Sequence, residues 1–310
     1  MTNLLLITGP TAVGKTETAV EVAMSLDGEV ISADSRQIYK YLDVGTSKPS
    51  QNLLKKVKHH LIDLKEPSEQ YSAGEFARDA EKIARYVTQR GKVPIVCGGA
   101  TLYIRALTSG LFKEPHNRRD RMKLRRELKE RARREGTEDL YEDLCEADPH
   151  SAARIERNDT QRIIRALEVY LSTGIPISTW HDEVPERPEL NILSFCLFLE
   201  RDELTKRIEQ RTREMIRNGL VEEVKKLLDE GLDEEYGPLK SVGYREIVDY
   251  LKGTYPLEEA ERLITRNTRR YAKRQMTWFK KMNGLRWIRS GPDAGREICD
   301  EWYRWTRKAG

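Results

Sequence analysis

An unbroken apolar run from Leu4 to Ile7 is closed by Thr8, and further on Ala19, Val20, Ala23 and Leu26 recur at the spacing of one helix face. The first pattern predicts a short buried strand over residues 3–8. The second predicts a helix over 15–26, ended by Asp27-Gly28. Apolar stretches at 29–33, 92–97 and 193–199 read as further strands, the middle one running into Gly98-Gly99 and a helix from Leu102. A strand, a glycine loop, a helix and a second strand in that order predict a right-handed parallel crossover, so the fold class is α/β. Residues 115–189 give no strand signal and are dense in charge. They are expected to form a helical insertion domain, with Val184 to Glu189 as its return linker, in a core made of 1–114 and 190–310. After residue 199 the chain reads as mostly helical to its end, and no repeat interrupts it.

Composition narrows the class. With 310 residues, 38% of them hydrophobic, the chain can bury a sizeable core. The net charge of +4 hides an uneven distribution: residues 117–134 carry ten basic and three acidic side chains. Cys97, Cys145, Cys196 and Cys299 are too scattered for a zinc or redox motif and are expected to be reduced thiols. No segment has the roughly 20 apolar residues of a membrane span, and no basic-then-apolar leader pattern opens the chain, which points to a cytoplasmic protein.

Gly9 to Thr16, "GPTAVGKT", satisfies G-x-x-x-x-G-K-[ST], with a strand expected before it and a helix after. Successive backbone N–H groups there form an anion-binding nest at the positive end of a helix, Lys15 adds a full charge, and the Thr16 hydroxyl suits magnesium. This implies a phosphate or diphosphate ligand and leaves the reaction open. Parallel strands deliver their C-terminal ends to one edge, so Asp34 of "ISADSRQIY" and the turn Gly98, Gly99, Thr101 should emerge beside the loop. Asp34 reads either as a turn or cap residue or as a carboxylate that takes a proton or holds metal. An apolar strand ending in a metal-binding Asp, as an ATPase needs, is not evident; "HHLID" at 59–63 is the nearest stretch.

Residues 262–281 hold eight basic side chains and no acidic one, interleaved with Tyr271, Trp278 and Phe279. Basic groups meet phosphates while aromatics stack on bases, the footprint of nucleic-acid binding. The alternative is a solvated helix face whose Leu263, Tyr271 and Trp278 lie in the core.

Six strings, "GPTAVGKT", "ISADSRQIY", "NDTQRIIRALEVYLSTGIPIS", "EQRTREMIRNGLVEEV", "KSVGYRE" and "RRYAKRQMTWFKK", resemble in order and spacing the bacterial tRNA dimethylallyltransferases, over residues 4 to 288. The resemblance implies a P-loop NTPase-like core that transfers a dimethylallyl group from dimethylallyl diphosphate to N6 of the adenine at tRNA position 37, with Mg2+ and loss of diphosphate. It implies that Gly9, Pro10, Thr11, Ala12, Val13, Gly14, Lys15, Thr16 and Arg211 bind the donor diphosphate, with Thr16 on the metal. Lys15, Thr16 and Asp34 would be catalytic, Asp34 as general base. By the same resemblance Asp34, Ser35, Arg36, Gln37 and Thr101 meet the tRNA, followed by Gln161, Arg162, Ile163, Ile164 and Arg165, by Lys240, Ser241, Val242, Gly243, Tyr244 and Arg245, and by Lys273, Arg274, Gln275, Trp278, Lys280 and Lys281. The partner would be the tRNA anticodon stem-loop, bound by a monomer. The threonine of the Gly-Gly turn, Thr101, stands one place later here than in the family. The competing readings are a P-loop kinase of small molecules or nucleotides, a prenyltransferase of free adenine nucleotides, and a non-enzymatic RNA-binding protein.

Overall fold

The computed structural model describes residues 2–111, 118–182, 190–232 and 237–309. Six strands, β1 (Thr2–Thr8), β2 (Gly28–Ser32), β3 (His59–His60), β4 (Val93–Gly98), β5 (Leu190–Phe198) and β6 (Leu285–Arg289), form one sheet in the order β3-β2-β4-β1-β5-β6. Every pairing is parallel. The central β1 is buried on both faces, which is why its sequence is continuously apolar rather than alternating. Leu5 and Ile7 join a core with Phe195, Leu197, Ile298 and Trp302 on one side. Leu4 and Leu6, also fully buried, alternate to the opposite face.

Among the described residues after 199 the chain is mostly helical, with one strand, β6. It is an edge strand in which only Ile288 is buried, so "LRWIR" shows neither an apolar run nor a clean alternation. The "HHLID" stretch holds β3, two half-buried residues at the opposite edge of the sheet, and Asp63 is ion-paired to Lys48.

The chain divides into two compact units, Met1–Thr108 with Pro188–Gly310, and Ser109–Arg187. The second unit is helical among its described residues, with helices Arg118–Glu135, Thr137–Ala147 and Thr160–Thr173 packed through Leu128, Leu140, Leu144, Ile163, Ile164 and Leu167. Buried Asp148 ties it together: its carboxylate accepts from Ser151 N (2.9 Å), Ser151 Oγ (2.7 Å), Ser178 N (3.0 Å) and Ser178 Oγ (2.8 Å). The linker expected at 184–189 lies outside the described residues. The four cysteines are free thiols. Among the described residues no helix is long and apolar enough to cross a membrane.

Candidate functional site

β1 ends at Thr8 and the loop 9–14 leads into the helix Lys15–Ser25. The turn needs its glycines. A Cβ on Gly9 would lie 2.5 Å from the Leu197 carbonyl oxygen, and Gly14, at φ 95°, takes the left-handed conformation at the N-cap. Ala12 adopts φ 65°, strain for a residue with a Cβ that the surrounding bonds hold in place. No side chain caps the helix, so its first N–H groups face the loop interior. Ser290 Oγ, just past β6, donates to the Val13 carbonyl at 2.5 Å, and Arg207 Nη1 reaches the same oxygen at 3.5 Å.

Three charged groups from distant parts of the chain meet here. Lys15 Nζ donates to the Pro10 carbonyl at 2.8 Å, using one of its three N–H bonds. Arg211, from the helix Arg201–Arg217, donates from Nη1 to Thr11 Oγ1 at 3.0 Å and from Nε to Ser47 Oγ at 2.9 Å. Burial lowers the pKa of both cations; Lys15 is lowered further by the neighbouring Arg211 charge, while Asp34 opposes the shift in each. Two desolvated cations side by side disfavour one another and favour a neighbouring anion. Thr16 is half-buried and its hydroxyl makes no hydrogen bond among the described residues, whereas Thr18 Oγ1 bonds back to Gly14 O.

Asp34 leaves the end of β2 with Oδ1 accepting from Arg36 N at 2.8 Å and Gln37 N at 3.3 Å. The turn role is therefore real, and it occupies one oxygen. Oδ2 has no hydrogen-bond partner among the described residues, so the same carboxylate is held rigidly with one basic oxygen free. Gly98 lets β4 approach β2 closely, since a Cβ there would stand 2.1 Å from the Ala33 carbonyl oxygen.

The helix Leu257–Phe279 divides cleanly. Ala260, Ile264, Ala272, Gln275 and Phe279 are buried, while Arg262, Arg266, Arg269, Arg270, Lys273, Arg274, Lys280 and Lys281 are all exposed. Leu263, Tyr271 and Trp278 are half-buried, and the buried stripe runs through 264, 272, 275 and 279. Arg274 sits over the Tyr271 ring at 5.8 Å.

Several residues assigned to tRNA contact do other work. Gln275 is buried, with its oxygen accepting from Thr11 N at 2.9 Å and its nitrogen donating to Gly99 O at 2.8 Å. Ile163 and Ile164 are core residues of the helical unit, because the register of Thr160–Thr173 turns them inward; Gln161 and Arg162 are exposed. Arg165 is half-buried and pairs with buried Glu168 at 2.8 Å, as Arg125 does at 2.6 Å. Tyr244 is buried, its hydroxyl donating to Glu223 at 2.7 Å. Gln37 spends its amide on the Thr46 and Ser47 carbonyls. Lys240, Arg245, Lys273, Arg274, Lys280 and Lys281 are exposed; Ser35, Arg36, Thr101, Ser241, Val242 and Trp278 are half-buried, and Gly243 is buried.

Sequence reasoning missed Glu223, Glu246, Ser47 and Ser290. Glu246, 2% exposed, accepts from Gly243 N, Arg245 Nε and Asn267 Nδ2, all at 2.7 Å, and so shapes the turn that presents Lys240 to Arg245. Glu223 lay inside a string singled out for Arg211 alone, but nothing in its spacing marks a carboxylate that binds backbone N–H groups.

Residues 37–282 match the family model "IPP transferase". The chain is 43% identical over 288 residues to a tRNA dimethylallyltransferase of Geobacter sulfurreducens, covering 93% of this chain and 92% of that protein. It is 44% identical over 285 residues to one of Alkaliphilus oremlandii, covering 92% and 90%. Among solved structures it resembles the tRNA isopentenylpyrophosphate transferase of Bacillus halodurans (TM-score 0.71, 36% identity, 99% and 97% covered). It also resembles a eukaryotic dimethylallyltransferase caught acting on tRNA (TM-score 0.81, 26% identity, 99% and 80% covered).

Proposed function

The chain belongs to the IPP transferase family, and from that premise we propose that it transfers a dimethylallyl group from dimethylallyl diphosphate to N6 of the adenine at tRNA position 37. The observation that carries the reading is the meeting of Lys15, Arg211 and Asp34 at one edge of the sheet: two desolvated cations for a departing diphosphate and a free carboxylate oxygen for a proton. The exposed cationic face of Leu257–Phe279 supports an RNA acceptor over a free nucleotide, and no observation favours phosphoryl transfer.

The C1–O bond of the allylic diphosphate breaks and the N6–C1 bond forms, while the N6 proton passes to Asp34 Oδ2. The allylic cation is resonance-stabilised, so the protein mainly neutralises the leaving group and positions the amine. Lys15, the loop N–H groups and Arg211 take the diphosphate charge; Asp34, fixed by its own turn, deprotonates a conjugated and weakly nucleophilic amine. The adenine must leave its stack to reach the site, at a cost of a few kcal/mol. Mg2+ takes hard oxygen ligands, and the half-buried Thr16 hydroxyl, which makes no hydrogen bond among the described residues, fits that chemistry. Thr16 would hold that ion, which supplies charge neutralisation at the diphosphate. We read the protein as a cytoplasmic monomer that engages the anticodon stem-loop.

Unmodified tRNA incubated with the protein, magnesium and dimethylallyl diphosphate should yield dimethylallyl-adenosine on nucleoside mass analysis, at position 37 alone. Modification of free adenine nucleotides with unmodified tRNA, or phosphorylation from ATP, would overturn the reading.

A further inference from the structure

We propose that Glu223, with Tyr244, is a positioning residue for the diphosphate site: it shapes the loop 43–47 so that Ser47 orients Arg211. The inference rests on Arg211 as a donor-binding group. Glu223 Oε2 accepts from Asp43 N at 2.8 Å and Val44 N at 2.7 Å, and Oε1 accepts from Gly45 N at 3.1 Å and from the Tyr244 hydroxyl at 2.7 Å. Three consecutive backbone N–H groups thus converge on one carboxylate, a concavity of the kind that elsewhere binds anions. The Tyr244 ring closes over Gly45, where a Cβ would lie 2.5 Å from ring carbons. Burial, then the Glu223 charge, raises the Tyr244 pKa well above its usual value, so its proton stays in the bond.

The loop fixed this way ends on Ser47, in the left-handed region at φ 48°, whose carbonyl accepts from Gln37 Nε2 at 3.2 Å and whose Oγ accepts from Arg211 Nε at 2.9 Å. Arg211 continues to Thr11 of the phosphate loop. A long guanidinium side chain loses affinity whenever it must be ordered at the moment of binding, so a prior hydrogen bond on Nε that sets the plane of its fork favours diphosphate capture. The series Glu223, loop 43–47, Ser47, Arg211, Thr11 joins the helix Leu220–Asp229 to the phosphate loop. Tyr244 belongs to the Lys240 to Arg245 segment assigned to RNA, and its side chain faces inward to this series.

The test titrates inorganic diphosphate and dimethylallyl diphosphate into the full-length parent and into Glu223→Gln, Tyr244→Phe and Ser47→Ala, with exposed Glu222→Gln as control, beside thermal unfolding and steady-state transfer. Glu223→Gln and Ser47→Ala are expected to weaken diphosphate binding about tenfold, the scale of a lost charge-assisted hydrogen bond. Donor KM should rise more than kcat falls, with tRNA affinity unchanged. Variants that lose thermal stability but bind diphosphate within about twofold of the parent would make Glu223 a structural residue only. Ser47→Ala, which truncates one small side chain, decides the matter if Glu223→Gln fails to fold. A parent that binds diphosphate, loses it in the variants and transfers nothing to tRNA would overturn the proposed function while leaving the positioning role standing.

Discussion

Gln275 and Thr11 lie 264 positions apart in sequence, and the side-chain oxygen of the first accepts a 2.9 Å hydrogen bond from the backbone N–H of the second. The other end of the same amide holds Gly99 O at 2.8 Å, and a Cβ on Gly99 would come within 2.6 Å of it. A buried amide from the cationic helix therefore bridges the ends of β1 and β4 across the phosphate loop.

Replacing that amide separates a brace from an RNA contact. Gln275→Leu leaves the Thr11 N–H and the Gly99 carbonyl unpaired, at about 1–3 kcal/mol for each buried group. Donor KM should rise and the unfolding midpoint fall, with tRNA affinity unchanged. A tRNA-binding defect at normal donor KM and stability would place Gln275 at the RNA surface.

Asp34→Asn tests the base. Asparagine keeps the Oδ1 bonds to Arg36 N and Gln37 N, so stability and donor affinity should be preserved while kcat falls about 10²–10⁴-fold. Single-turnover transfer at saturating substrates measures it, and a rate within about threefold of the parent would reduce Asp34 to its turn role.

Lys15→Ala should abolish transfer and leave tRNA binding nearly intact, because the proposed RNA contacts are the eight exposed cations of residues 262–281, and Lys15 is not among them. Binding to those cations should weaken steeply with salt, the logarithm of affinity falling by about 0.7–0.9 per phosphate neutralised for each tenfold rise in salt. Filter binding across a salt series checks both statements.

Asp148 makes a pH-dependent prediction for the helical unit. Burial raises its pKa, but the four bonds from Ser151 and Ser178 outweigh this and hold the carboxyl below its usual value. A depressed carboxylate stabilises the fold above its unfolded pKa, near 3.9, and loses that contribution as pH falls through the lower folded value. Asp148→Ala should therefore cost about 2–4 kcal/mol at pH 7, and the gap to the parent should narrow below about pH 4 in fluorescence-monitored unfolding.

What the sequence determined by itself was local. The apolar runs at 4–7 and 193–199 read as buried strands, the glycine and lysine spacing of 9–16 as a strand-to-helix turn, and the charge of 262–281 as a solvated face. These follow from periodicity and backbone sterics, which act over a few residues. Tertiary structure alone decided which side chains of a motif face outward. Gln275 and Tyr244 stand inside basic or polar strings, yet the rotation of their helices turns them onto Thr11 and Glu223. Glu223 reads in sequence as one more acidic residue on an amphipathic helix. Only the arrival of loop 43–47, some 180 residues earlier in the chain, gives its carboxylate three N–H groups to hold, because hydrogen bonds depend on proximity in space and leave no periodic trace along the chain.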